Sequence, residues 1–385
     1  MTTVSVTKPA RAAKPRTRVF GRPLLYRSYE SEMALVNTGT KKLMLGLLLV
    51  AGVAMPFVVG DAELQNLAKA LITGVGVIGL GLVTGYAGQV SLGHAFFLGI
   101  GAYTAAVLGG DPQGRHLGFG ITEVLIWLPA AGLAAALFGV IVAPLATRLR
   151  GLYLAIVTLG LVFVGGHVFN EWREVTGGRD LGREMPQPTL LGYELGVSDE
   201  FLTRDQKLYW LMLAVLVLFA FAARNLVRSR IGRAFSAIRD RDIAAGVMGV
   251  NLSRYKMVAF ASSSFYAGVC GALLYVIPGF FVPNTAFNLE VSIIFIAMLL
   301  VGGVGTISGA ILGAFFFTYL PIVTRLLPGT VPFISANSAQ TPNVYQLEGV
   351  LYGVLLIVFL IFEPRGLFGI WMRARNYWKS WPFSY

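Results

Sequence analysis

Apolar runs separated by short polar connections fill the chain from residue 43 to residue 363. A helix needs about 20 such residues to cross the hydrocarbon of a bilayer. No water is present there to satisfy an open backbone, so each run must form a helix that closes its own hydrogen bonds. Ten runs qualify: 43–60, 64–84, 95–109, 125–147, 152–169, 208–223, 257–277, 289–304, 306–327 and 347–363. The third is short and need not span fully. Composition agrees, with 56% hydrophobic and 13% charged residues, where a soluble domain carries about 25% charged. The reading is an all-α polytopic transmembrane bundle of about ten crossings, with a broken or re-entrant segment near 85–94.

The net charge of +12 raises the question of nucleic acid, but its distribution answers otherwise. Lys and Arg gather between apolar runs, where they orient a membrane protein with its basic connections inside. No zinc-finger spacing or aromatic RNA-binding pattern accompanies them, so the partner is the lipid bilayer and not nucleic acid. Residues 1–42 form a basic, Pro-punctuated tail expected to be disordered and cytoplasmic. The transmembrane region is 43–363, and 364–385 is a C-terminal tail. With the N-terminus inside, Arg148, Arg150, the loop 224–256 and the C-terminal tail all fall on the basic, inner side. The segments 170–206 and 328–346, the latter with Pro328, Pro332 and Pro342, fall outside. Both termini are then cytoplasmic.

One stretch departs from lipid-soluble helix. "GLVTGYAGQVSLGHAFFLGIGAY", residues 81–103, carries Gly85, Gly88, Gly93, Gly99 and Gly101 together with Tyr86, Gln89, Ser91 and His94. Each interior glycine costs a helix about 0.8–1 kcal/mol relative to Ala, and lipid cannot satisfy the polar side chains. Two structures answer this: a broken helix whose freed groups line a solute path, or a tight contact between helices. Glycine with Gln, Ser and His in one window favours the path. "GYAGQVS" at 85–91 has an echo in "GGVGTIS" at 302–308, which adds Gly305, Thr306 and Ser308 to the candidate path. Paired glycine-interrupted segments in two halves point to a transport site.

Other motifs read as packing or as nothing. Gly305, Gly309 and Gly313 recur every four residues, as on a closely packed helix face. "GVGVIG" at 74–79 matches the dinucleotide glycine pattern but lies inside an apolar run, with no strand before it. No P-loop occurs, so ATP is not bound through that motif. His94, His116 and His167 show no metal-ligand spacing. Cys270 is a lone thiol in an apolar run, and Glu290 and Glu348 begin runs where water reaches them. No catalytic or metal site is expected, and no cofactor on this chain.

The loop 224–256 has an apolar stripe at helical spacing in Ile231, Phe235, Ile238 and Ile243. Asp240, Arg241 and Asp242 make a charged turn, followed by Ala244, Ala245 and Gly246, with Gly249 and Asn251 as a stop. A helix–turn–helix with an uncovered apolar face suits a groove on a partner or the membrane surface.

The blocks "GYAGQVSLGHAFFLGIGAYTAAVL", "RLRGLYLAIVTLGLVFV", "NEWREVTGGRDLG", "IGRAFSAIRDRDIAAGVMGVNLSRYKMVAFASSSFYAGVCGALL", "GGVGTISGAILGAFF" and "FEPRGLFGIW" follow in order over roughly residues 60–370. Together they resemble the branched-chain amino acid ABC transporter permease family, and "RLRGLYLAIVTLG" resembles its M-type (LivM-like) member. The resemblance implies an inner-membrane permease without its own ATPase site. Its partners would be a second, LivH-like permease, two cytoplasmic ATP-binding subunits carrying ATP and Mg, and an extracytoplasmic solute-binding protein. It also implies that the cytoplasmic loop docks into an ATPase groove, through Arg233, Arg239, Asp240, Asp242, Ala244, Ala245, Gly246 and Gly249. Two segments depart from the family pattern: "LVFVGGHVF" lacks the usual acid, and "TGGRDLGREMP" carries extra charge. Branched-chain amino acids are the first cargo this implies; urea, short amides or small carboxylates are the alternative. An ATP-independent channel or secondary carrier is the rival class.

Overall fold

The structure is a computed structural model that describes residues 39–149, 151–178, 182–325 and 344–380. Expectations for residues 1–38, Arg150 and Pro328, Pro332 and Pro342 lie outside the described residues. The helices longer than one turn are, in chain order, α1 (Gly39–Ala54), α2 (Asp61–Leu80), α3 (His94–Gly109), α4 (Val124–Arg148), α5 (Leu152–Glu171), α6 (Arg204–Arg228), α7 (Arg230–Val247), α8 (Leu252–Leu274), α9 (Leu289–Gly302), α10 (Ile307–Arg325), α11 (Val344–Phe362) and α12 (Gly366–Ser380). Among the described residues seven helices are long and apolar enough to cross a membrane. A pair bent by 45°, Gly349–Phe362 with Gly366–Tyr377, makes an eighth. Leu43–Phe57 and His94–Gly109 are shorter apolar helices, so each of the ten runs is helical over most of its described residues, and the first as well as the third falls short of spanning length.

The bundle is built around α2. Of the apolar window that includes α2, 89% is buried, against 22% for α6, so α2 is the axis and α6 faces outward. The glycines of "GVGVIG" explain how neighbours come so close. A Cβ at Gly76 would lie 2.8 Å from the Cys270 sulfur, and one at Gly79 would lie 2.4 Å from Tyr266 Cβ. They are packing positions, and Cys270 is the buried thiol they accommodate.

Helix α8 packs against α2, α3 and α4, in places backbone on backbone. A Cβ at Gly101 of α3 would sit 2.0 Å from the Gly268 carbonyl oxygen, and one at Gly271 would sit 2.0 Å from that of Leu98. A Cβ at Gly268 would in turn lie 2.6 Å from the Ala131 carbonyl oxygen of α4. Lipid tails are as apolar as Leu, so this close approach and its dispersion energy hold the helices together. The same device joins α9 to α10: Cβ atoms at Gly302 and Gly313 would meet Gly309 O and Met298 O at 2.1 and 1.9 Å. The four-residue glycine repeat is thus a packing face.

The two ends of the bundle differ. At one end Thr203 caps α6 in a reciprocal box with Gln206, and its hydroxyl donates to Asp61 at the start of α2. Here the buried Lys207 ammonium pairs with Asp199 and donates to the Glu194 and Val197 carbonyls. Hydrogen bonds from Lys207, then from the Tyr193 hydroxyl, hold the Asp199 carboxyl below its usual range. Arg183, also buried, donates to the carbonyls of Ala106, Leu117 and Val175. The added charge of "TGGRDLGREMP" therefore includes a strut that closes this end. At the other end lie α7, the start of α8 and the turn from α9 to α10.

Two outcomes test this packing. Gly268→Val forces a branched side chain into the α4 backbone and destabilises by at least about 1–3 kcal/mol, whereas Gly160→Val, with open space around its Cβ, keeps the wild-type melting temperature. Because the Asp199 carboxyl is depressed, its contribution is present above the ordinary carboxylate range and lost as pH falls through the folded value. Asp199→Asn therefore flattens the loss of thermal stability seen on acidification below about pH 4.

Candidate functional site

The end of α2 widens before it breaks. Residues Gly81–Tyr86 form a π-helical turn, with Ala87 N–H donating to Leu82 O and Gln89 N–H reaching back to Val83 O at 2.9 Å. Gly88 then takes φ +68°, a left-handed conformation that glycine adopts without steric cost. The chain reverses and α3 begins at His94.

A helix start leaves backbone donors without intrahelical partners, and here neighbouring helices supply the acceptors. Leu92 N–H donates to the Thr158 hydroxyl of α5 at 2.9 Å. Ala95 N–H donates to the Ser292 hydroxyl of α9 at 3.0 Å. Gly93 N–H reaches Ser91 Oγ, Gln89 Nε2 donates to Ala87 O, and Thr84 Oγ1 donates to Gln89 O. Gln89, Ser91 and His94 are all buried. Protein rather than open water surrounds them, because α5 and α9 close over the turn. His94 differs from its neighbours: its ring packs 4.8 Å from that of Phe295, and its Nε2 is buried with no hydrogen-bond partner among the described residues.

The echo segment makes a second turn between α9 and α10. Gly303 and Gly305 take φ +126° and +78°. The Thr306 hydroxyl donates to Gly303 O and accepts from Gly309 N–H, which holds the start of α10. Gly88 and Gly305 are equivalent in the two echoes, and both are left-handed. The likeness in backbone is confined to this glycine, since Gly303 at φ +126° has Tyr86 of the π-helical turn as its equivalent. Moreover, the two turns touch. A Cβ at Gly85 would lie 2.8 Å from Gly305 N and 3.2 Å from Gly305 Cα. Gly88 and Ser308 are the members of the candidate path left exposed.

Over these turns lies α7. Arg239 Nη1 donates to the Gly85 carbonyl at 2.6 Å, so the two sets of candidate residues, path and loop, meet. Helix α7 is interrupted at Arg241, where φ −156° and ψ 102° are not helical. That break is the charged turn read from Asp240, Arg241 and Asp242. It also divides the apolar stripe: Phe235 and Ile238 are buried against the bundle, whereas Ile243, Val247 and Met248 are 69%, 84% and 86% exposed. The stripe is thus two faces with different tasks. Arg233, Arg239, Asp240, Ala244, Gly246 and Gly249 are exposed, Asp242 is half-buried and Ala245 is buried. Gly249 (φ +85°) ends the second piece, and the Asn251 side chain accepts from Arg254 N–H to start α8.

The opposite end holds a cavity of about 270 Å³ lined by Asp111, Arg115, His116, Arg183, Glu184 and Phe280, among others. Burial, then the Arg183 and Arg115 guanidiniums, holds the His116 imidazole below its ordinary pKa. His167 is exposed on α5. The three histidines therefore do separate things, and among the described residues no three His, Cys, Asp or Glu side chains are grouped to hold a metal.

Thr158, Ser292 and Arg183 were not singled out by sequence reasoning. The first two carry a signal, a hydroxyl inside an otherwise apolar run, but such residues often bond their own helix and reveal nothing of the partner. Ser292→Ala leaves the buried Ala95 amide unpaired, at about 1–3 kcal/mol. Thermal unfolding in detergent should show that loss, with Ser292→Thr retaining most of the wild-type stability.

The family described as "branched-chain amino acid transport system / permease component" matches residues 64–360. The high-affinity branched-chain amino acid transport system permease protein LivM of Salmonella typhimurium is 32% identical over 347 residues, 86% of this chain and 76% of the relative. The protein of the same name from Escherichia coli K12 is 33% identical over the same shares. The autoinducer 2 import system permease protein LsrC of an Enterobacter species is 32% identical over 209 residues, 53% of this chain and 56% of its own. No solved structure matches. With apolar helices of spanning length, a family match over most of the chain and relatives aligned over 86% of it, this chain is an integral membrane protein and belongs to the branched-chain amino acid transport permease family.

Proposed function

We propose that this chain is the M-type permease subunit of an ATP-driven importer of branched-chain amino acids in the bacterial inner membrane. The observation that carries the reading is the tip of α7. Beyond the break at Arg241, Ile243, Val247 and Met248 present an apolar face at the basic end of a membrane bundle. An exposed apolar helix of this kind seats in a hydrophobic groove of a partner. The partners implied are two ATP-binding subunits that carry ATP and Mg, a second permease, and an extracytoplasmic solute-binding protein.

The Lys and Arg of the α7 end support a cytoplasmic side for it, and the basic tails of the sequence support the same side for both termini. The end with Arg183 and the His116 cavity then faces the solute-binding protein. Solute would travel between these ends, and the paired turns at Gly85–His94 and Gly303–Ser308 mark the cytoplasmic end of its path. His94 Nε2, buried and without a hydrogen-bond partner among the described residues, is a polar atom of that region with a hydrogen bond to offer. Nucleotide drives the cycle by binding one facing state better than the other. This chain performs no bond chemistry.

The test is reconstitution of the chain with candidate partners in liposomes. Leucine, isoleucine or valine, delivered by the binding protein, should stimulate ATP hydrolysis more than urea or short amides do. Stimulation by an amide alone would keep the importer and change the cargo. Uptake by this chain alone without ATP would replace the importer with a channel or carrier. Val247→Asp places a charge on the apolar tip and should weaken capture of the ATP-binding subunits by about ten-fold or more, read by co-purification, with the chain still inserted.

A further inference from the structure

We infer that Arg239 is the latch that holds the two glycine turns closed and releases them when α7 moves. The inference rests on the importer reading above and names the residue through which the motion reaches the path.

Three contacts converge on this one side chain. Its Nη1 donates to the Gly85 carbonyl at 2.6 Å. The same nitrogen lies 2.9 Å from where a Cβ at Gly305 would stand. Its Cα, Cβ and Cγ lie 3.1–3.2 Å from where a Cβ at Gly88 would stand. Thus both left-handed glycines are positions at which a side chain would crowd Arg239. The glycines fulfil two requirements together, a turn of positive φ and room for this arginine.

The Gly85 carbonyl lies where α2 has widened into a π-turn and given up its regular ladder. A charged donor on a backbone carbonyl is a strong, directional contact, and this one is part-buried although Arg239 itself is exposed. Its position on α7 matters as much as its strength. Arg239 stands two residues before the break at Arg241, on the piece anchored through Phe235 and Ile238. The exposed tip lies just after the break. Force applied to the tip by a partner pivots at Arg241 and falls first on Arg239. Because a hydrogen bond at 2.6 Å is lost within about 1 Å of displacement, the contact has two states, made or broken. A residue of this kind positions the path; it need not touch solute.

The experiment uses the assembled complex carrying Gln89→Cys, labelled with a water-soluble maleimide with no nucleotide and with a slowly hydrolysed ATP analogue. With Arg239 present, the introduced thiol should be slow to react in one state and faster in the other. Arg239→Ala should raise the slow rate about ten-fold, the scale of losing one charge-assisted hydrogen bond, and erase the nucleotide dependence. Arg239→Lys, which keeps a donor but not the fork, should fall between. A structural role alone would lower stability without removing the nucleotide dependence. Labelling that still follows nucleotide in an intact Arg239→Ala complex overturns the latch and leaves the importer standing. So does labelling that ignores nucleotide in the parent, provided its uptake remains ATP-driven. Failure of every chain, the parent included, to assemble with ATP-binding subunits overturns the importer reading itself. If Arg239→Ala does not assemble, Arg239→Lys and Arg239→Gln decide: parental labelling in both overturns the latch.

Discussion

Inside a bilayer no backbone amide or carbonyl can turn to water, and each unsatisfied group costs several kcal/mol. Ten apolar runs become helices for that reason. The same constraint explains why the irregular stretch between α2 and α3, Ala87–Gly93, is sealed by hydroxyls from two other helices. Thr158 and Ser292 take the donors that the start of α3 leaves open. Arg239 takes the carbonyl that the end of α2 leaves open. A turn that binds α5, α7 and α9 in this way is mechanically tied to all three.

Glycine performs two unrelated tasks in this chain, and composition alone does not separate them. Gly101, Gly268 and Gly271 are inside regular helices, where lack of a Cβ lets backbones touch. Gly88 and Gly305 are in left-handed turns, where lack of a Cβ permits the conformation. The first kind builds a rigid wedge of α3, α4 and α8. The second kind makes two places where the chain reverses, and the two lie against each other. A rigid frame around two reversals is a natural setting for gating, since interfaces of packed helices have discrete arrangements.

Family membership and fold class were legible in order and spacing: apolar runs at membrane length, basic connections gathered on one side, and blocks in the family order. The glycine-rich segment was legible as a break, because Gly85, Gly88 and Gly93 interrupt helix while Gln89, Ser91 and His94 resist lipid. Its depth was not. Nothing local says that the break stands at the end of the bundle beneath α7, because that depends on where residue 239 comes to rest, 154 positions from residue 85. The stripe on α7 was legible as apolar at helical spacing. That Phe235 belongs to the core and Val247 to the outside was not, since periodicity does not identify what covers a face.

The sequence by itself determined the class of molecule, the order of its apolar helices, and the two places where glycine halts them, because these follow from hydropathy and backbone sterics over a few adjacent residues. Only the tertiary structure decided that the two halts meet, that hydroxyls from α5 and α9 seal one of them, and that a single arginine from α7 spans both. The physical reason is range: a helix is set by neighbours within a turn, whereas a hydrogen bond between distant helices exists only once the whole bundle has packed.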